Sequence, residues 1–135
     1  MDLQTALDFV RSHSHTVLST RRADGRPQMS PVNSGVLDGR IVISSRAPLA
    51  KVRNLVRDPQ ASVLVFTDAF YGSWVQIDGT AEIVRQPEAL DLLDEVYRVI
   101  SGEHPDWADY RAAMIRDERV VIAITPERAA GELRT

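Results

Sequence analysis

The residues best equipped for chemistry lie between Ile43 and Asn54, in the run ISSRAPLAKVRN. A β-rich segment ends there in two hydroxyls, Ser44 and Ser45, and a guanidinium, Arg46, and a helix follows at once. A helix start offers unpaired N–H groups and the positive end of the helix dipole, an arrangement that suits a phosphate. Ser44 and Ser45 can donate hydrogen bonds, while Arg46, Lys51 and Arg53 can supply charge. Lys51 stands out as the only lysine among 16 basic residues. The plainer reading is that the serines cap the helix and the basic residues form a solvated face.

Other chemistries find less support. His13, His15 and His104 have no metal-ligand spacing. There is no G-x-S-x-G nucleophile elbow, no G-x-G-x-x-G and no P-loop. Asp91, Asp94 and Glu95 read as the wet face of a helix. Trp74 and Gln76 alternate on a strand and so share a face; Trp107 and Tyr110 share one on a helix. Both pairs read first as core or subunit contact. The chain has no cysteine, which removes thiolate nucleophiles, disulfides and cysteine metal sites together. With no evident acid, base or nucleophile, an enzyme of this sequence would lean on a bound cofactor.

These residues must be positioned by a single domain spanning 1–135, without repeats or linkers. Leu3, Ala6, Leu7 and Val10 mark one face of a first helix, with Asp2 as its N-cap. HTVLST at 15–20 reads as a strand, Asp24-Gly25 as a hairpin turn, and Pro27 to Leu37 as one returning extended segment. Asp38-Gly39 is a second turn, followed by a strand at 40–45. Pro48 opens a helix reaching Asp58, with Leu49, Val52, Leu55 and Val56 on its buried side. Residues 61–67 and 73–84 read as strands. Gln86-Pro87 opens a helix through Ile100, a short loop leads to another through Met114, and 119–125 is a last strand that Pro126 ends. The order predicts a mainly β (α+β) fold: a six-stranded antiparallel barrel with flanking helices. A net charge of −3 gives no reason to expect a nucleic acid or a membrane as partner. The N-terminus lacks the basic region of a signal peptide, so a cytoplasmic location is the default expectation.

Four stretches, in order, carry a resemblance. They are T-x-R-x-D-G-R-P-Q at Thr20–Gln28, AKVRNLVRDPQASVLV at Ala50–Val65, IDGTAEIV at Ile77–Val84 and Y-R-x-I-S-G-E-H-P-D-W-A-D-Y-R at Tyr97–Arg111. Together the chain resembles the pyridoxamine 5′-phosphate oxidase-like, FMN-binding split-barrel superfamily. Within it, the last stretch is similar to the small reductases that use the deazaflavin coenzyme F420.

The resemblance implies a homodimer with cofactor grooves between subunits. It implies that Ser44, Ser45 and Lys51 line the cofactor's phosphate site, with Arg53 a better helper than Arg57. It places Gln28, Ser30, Pro31 and Val32 beside the ring, and brings Trp74 and Gln76 from the strand facing the partner. Leu49 departs from relatives that carry arginine there, a loss that Arg46 could make good; Arg21 and Arg22 could add charge for the acidic tail. The implied activity is hydride transfer from reduced F420 to an unsaturated small molecule, with the substrate's proton free to come from water. An FMN-binding oxidoreductase on the same fold is the first alternative. Pyridoxamine phosphate oxidase itself stands behind it, since no counterpart of the oxidase's C-terminal substrate-binding segment is evident. A non-catalytic carrier of flavin, deazaflavin or haem is the second.

Overall fold

Two Asp-Gly turns set the first half of the chain, and a computed structural model describes the result for residues 1–134. After helix α1 (Leu3–Ser12), β1 (His15–Arg21) turns through Asp24-Gly25 into β2 (Pro27–Asn33), and β3 (Gly35–Leu37) turns through Asp38-Gly39 into β4 (Arg40–Arg46). Gly25 and Gly39 take positive φ of 87° and 74°, as such turns require. Then come α2 (Ala50–Arg57), β5 (Gln60–Phe66), β6 (Trp74–Val84), α3 (Ala89–Ser101), α4 (Trp107–Arg116) and β7 (Arg119–Glu132).

The sheet has seven strands, one more than expected, in the order β2-β1-β5-β6-β7-β4-β3. Every pairing is antiparallel. The extra strand arises because Pro27–Leu37 is not one segment. The chain breaks at Ser34, which is buried; its amide donates to the Ser14 carbonyl and its hydroxyl lies 2.7 Å from Thr16 Oγ1. A polar corner is stable there because its hydrogen-bonding groups are met. Since β2 and β3 stand at opposite ends of the sheet yet are joined by this one residue, the sheet must curl until its ends meet. The result is a half-barrel that stays open where β2 comes alongside β4 without pairing to it.

Pro126 does not end the last strand. It sits at a bulge opposite Gly79, and β7 continues to Glu132, paired along the length of β6. Proline is tolerated at a bulge because no ladder hydrogen bond is needed from it. Gly79 has its own reason to be glycine: a Cβ there would lie 2.2 Å from the Thr125 carbonyl oxygen. Hence Asp78-Gly79, within the third resembling stretch, marks a close approach of two strands.

Two apolar layers hold the fold. Inside the half-barrel, Leu18, Ile41, Ile43, Val63, Ile77, Ile122 and Ile124 are fully buried, with Ala6, Leu7 and Val10 of α1 packed onto them. Asp2 caps that helix, accepting from the Thr5 amide at 2.8 Å. On the outer face, α3 and α4 cover β4 and β7 through Leu93, Val96, Tyr110 and Met114 against Val42, Val121 and Ala123. Gly35 lets α3 sit this close, for a Cβ would meet Val99 and Ile100 side chains at 2.9 and 3.0 Å. No helix among the described residues is long and apolar enough to cross a membrane.

Candidate functional site

The opening between β2 and β4 holds a cavity of about 410 Å³. This lies within the range of small-molecule sites. Pro31, Val32 and Asn33 of β2 form one wall, and Ser44 and Ser45 of β4 the other. Leu49 and Lys51 enter from the start of α2, and Val96, Tyr97, Ile100, Tyr110 and Met114 close it from α3 and α4. Arg119 enters from the first residue of β7. One end therefore carries hydroxyls and two cations, while the rest is aliphatic and aromatic. None of these residues is acidic.

The cross-strand register explains the polar end. Ser44 pairs with Val121 and Arg46 with Arg119, so all four share the sheet face that α3 and α4 cover. Ser45 alternates inward, is buried, and donates to the Arg46 carbonyl at 3.4 Å. Neither serine caps α2, whose N-cap is Leu49 with no side-chain hydrogen bond. The helix starts at Ala50, two residues after Pro48, because residues 46–49 first form a turn closed by Leu49 N–H donating to Arg46 O.

Charge at this end is not neutralised. No carboxylate approaches Lys51 or Arg119 to ion-pair distance among the described residues. Burial lowers the pKa of Lys51 below the ordinary lysine value, and the positive charge of Arg119 lowers it further. Arg119 Nε is buried without a hydrogen-bond partner. Burial also raises the pKa of Tyr110; the charge of Asp94 adds to that rise and Arg119 opposes it. Its hydroxyl donates to the Leu93 carbonyl at 3.1 Å. Tyr97 stands at the centre of a ring cluster, with His104, Tyr110 and Trp107 at 4.9, 5.0 and 5.7 Å. A half-buried pair of cations beside an apolar, aromatic wall fits a ligand that joins a phosphate to an aromatic ring.

The expected site residues divide. Pro31, Val32, Ser44, Ser45 and Lys51 come together in this cavity. Arg46 and Arg53 are exposed and lie outside its lining. Gln28 accepts from Thr20 Oγ1 at 3.4 Å, within a chain in which Asn54 donates to Thr20 and Arg57 donates to Asn54 and to the Arg21 carbonyl. Thus Thr20, Gln28, Asn54 and Arg57, drawn from the first two resembling stretches, lock α2 onto β1 and β2. Ser30 does not line the cavity; its hydroxyl is buried and unpartnered. Trp74 and Gln76 lie on the outward face of β6, in separate depressions. Trp74 borders an apolar one with Leu64, Phe66, Phe70 and Tyr71; Gln76 borders a polar one with Ser62, Asp78 and Arg128.

Sequence reasoning missed Asn33, Tyr97, Met114 and Arg119, and gave Tyr110 only a packing role. Tyr97 and Tyr110 belong to the last resembling stretch, most of which ties α3 to α4. Arg98 pairs with Glu103 at 2.9 Å and stacks 4.5 Å above Trp107, and Arg111 bonds Asp94 at 2.6 Å. Asp91 joins that last pair at 3.1 Å, so the wet face of α3 is partly a helix–helix joint. Among the described residues the histidines form no metal-ligand group: His13 stacks on Phe9, His15 faces Asp68 at 3.0 Å, and His104 sits in the ring cluster.

The sequence profile of the pyridoxamine 5′-phosphate oxidase family matches residues 3–131. The chain belongs to that family. Its members bind flavins or deazaflavins. Among solved structures it is similar to a conserved hypothetical protein from Mycobacterium tuberculosis, 30% identical, with a TM-score of 0.77 over 97% of this chain and 84% of that one. An F420 reductase shares the fold at 19% identity, with a TM-score of 0.70 over 91% and 94% of the two chains. So does a haem-binding protein from Mycobacterium smegmatis, at 21% identity and a TM-score of 0.70, over 94% of this chain and 53% of that one.

Proposed function

We propose that this member of the pyridoxamine 5′-phosphate oxidase family is an oxidoreductase that uses coenzyme F420, reducing an unsaturated small molecule. The observation that carries the reading is the cavity between β2 and β4, with Lys51 and Ser44 at one end and an apolar, aromatic wall along the rest. Lys51 would bind the cofactor's phosphate, Ser44 would donate to it, and Pro31, Val32 and Tyr97 would hold the ring. When bound, the reduced deazaflavin supplies a hydride. The protein's part is to orient the ring and a substrate double bond and to exclude water, which the apolar wall favours. The lining holds no histidine and no carboxylate, and in this reading the substrate's proton would come from solvent.

The reading includes a homodimer formed through the outward face of β1, β5 and β6. Phe70 and Tyr71 are 84% and 83% exposed there, beside Leu64, Phe66 and Trp74. An apolar patch of this kind on a soluble protein marks a contact surface. A second copy seated on it would let Trp74 and Gln76, which do not line the cavity of their own protomer, reach the partner's ligand. Sedimentation of the pure protein as a monomer at micromolar concentration would remove that part of the proposal.

Parallel fluorescence titrations of the apo-protein with F420 and with FMN test the central reading. Tighter binding of F420, followed by turnover of a conjugated carbonyl compound with reduced F420, is the expected outcome. Preference for FMN would move the protein to the flavin-using oxidoreductases of the same fold. Tight binding with no turnover across a broad substrate panel would make it a carrier.

A further inference from the structure

Among the described residues nine arginines reach a carboxylate within 4 Å, and Arg119 is one of the six that do not. An exposed arginine without an acidic partner is satisfied by water, but Arg119 has its Nε buried and unpartnered while its side chain lines the cavity. A buried N–H without an acceptor costs free energy, which favours reorientation of the Arg119 side chain toward an acceptor that enters the cavity. Its nearest charged companion in that cavity is another cation, Lys51. In a chain with net charge −3, two unneutralised cations facing the same space call for an anion with more than one oxygen to share.

The backbone that carries Arg119 is held from three sides. Gln86 Nε2 donates to the Arg119 carbonyl at 3.1 Å and to the Met114 carbonyl at 2.7 Å, joining the start of β7 to the end of α4. Ala47 N–H donates to the Glu118 carbonyl at 2.9 Å, and Arg119 pairs with Arg46 across the ladder. Glu118 accepts a positive φ of 52° to make this entry into the strand. Such over-determination of one residue's position is what pre-organised binding of a charged group requires.

We infer that Arg119 is a second anchoring cation for a phosphate-bearing ligand in this cavity, acting with Lys51, and that Gln86 is the residue that positions it. The inference rests on the cofactor reading only for the ring that accompanies the phosphate; the anion site is argued from Arg119, Lys51 and Gln86 themselves.

The test compares ligands that differ only in the phosphate-bearing part: FMN against riboflavin, and F420 against its phosphate-free deazaflavin riboside. Arg119→Gln is expected to raise Kd for the phosphorylated member about tenfold or more, with the phosphate-free member changed by less than about twofold. Gln86→Ala should show the same selectivity to a smaller degree, which a purely structural role would not produce. Should Arg119→Gln fail to fold, Arg119→Lys carries the comparison. It keeps the charge but loses the planar fork, so a smaller loss, still confined to the phosphorylated ligand, is expected. Equal losses for both members of a pair, or no loss for either, would overturn the inference.

If the wild type binds none of the four compounds, the cofactor reading fails and the anion site is read with inorganic phosphate and pyrophosphate. A rise in Tm with these ions that Arg119→Gln abolishes would uphold the inference. A rise unchanged in the variant, or no rise in the wild type, would overturn it.

Discussion

Replacing Lys51 with alanine separates ligand binding from stability, because the two should move in different directions. In the free protein the Lys51 ammonium is partly desolvated and faces Arg119, and both effects disfavour its charged form. Removing it relieves that cost, so apo stability should stay within about 0.5 kcal/mol of wild type or rise. With an anion bound the sign reverses. One charge-assisted hydrogen bond is lost, worth roughly 1.5–3 kcal/mol, or about 10- to 150-fold in Kd. The pH dependence follows from the same shift. Lys51 has a folded pKa below its unfolded value of 10.5, so the protonated group penalises folding at neutral pH. That penalty is relieved as pH rises from the folded toward the unfolded value. Wild type should therefore gain stability in the alkaline range relative to Lys51→Ala, while its affinity for F420 or FMN falls as pH rises through the lowered folded pKa of Lys51. Urea denaturation of the apo-protein and fluorescence titration from pH 7 to 10 measure both. A variant that binds its ligand as wild type does but loses more than about 1 kcal/mol of apo stability would refute the assignment.

Other perturbations probe the frame that positions the cavity. Gly79→Ala places a Cβ 2.2 Å from a backbone oxygen of Thr125, so the β6–β7 bulge must shift. A loss of about 1–3 kcal/mol in urea denaturation is expected, and a variant as stable as wild type would contradict the close approach. Asn54→Ala leaves Thr20 and Arg57 without their shared buried partner. It should cost about 1–3 kcal/mol of stability by the same measurement, and an unchanged midpoint would mean that α2 is held otherwise. Asp78 has a lowered pKa, chiefly through the Ser62 hydroxyl at 2.7 Å, aided by Gln76 and Arg128. Its contribution is present above the unfolded carboxylate pKa and is lost as pH falls through the folded one. Asp78→Asn should therefore be less stable than wild type at pH 7 and equal to it in strong acid; a constant difference between acid and neutral melts would rule this out.

Much of the frame was legible because it is local. The Asp2 cap, the turns at Asp24-Gly25 and Asp38-Gly39 and the apolar period of α1 act within a few residues, and each formed where expected. The strand ends were not, because a strand's length depends on its partner. Pro126 reads as a stop until Gly79 is set opposite it, and Pro27–Leu37 reads as one strand until the barrel's curvature requires a corner at Ser34.

The candidate site shows the same division. By residue type alone ISSRAPLAKVRN suggested an anion site, and Ser44, Ser45 and Lys51 line one cavity. Which other basic residue joins them could not be read from one sequence in which 15 of 16 are arginine, since each looks like the next. Arg46 and Arg53, near Lys51 in the chain, are exposed and outside the cavity; Arg119, distant in the chain, lines it. The sequence by itself indicated the helices, the tight turns and one cationic segment, through short-range preferences that act before the chain is folded, and its four motif stretches carried the family resemblance. Only the tertiary structure brought Arg119 and the aromatic wall to the cavity. Both depend on the register of β4 against β7 and on where α3 and α4 settle over it, and long-range packing alone sets those relations.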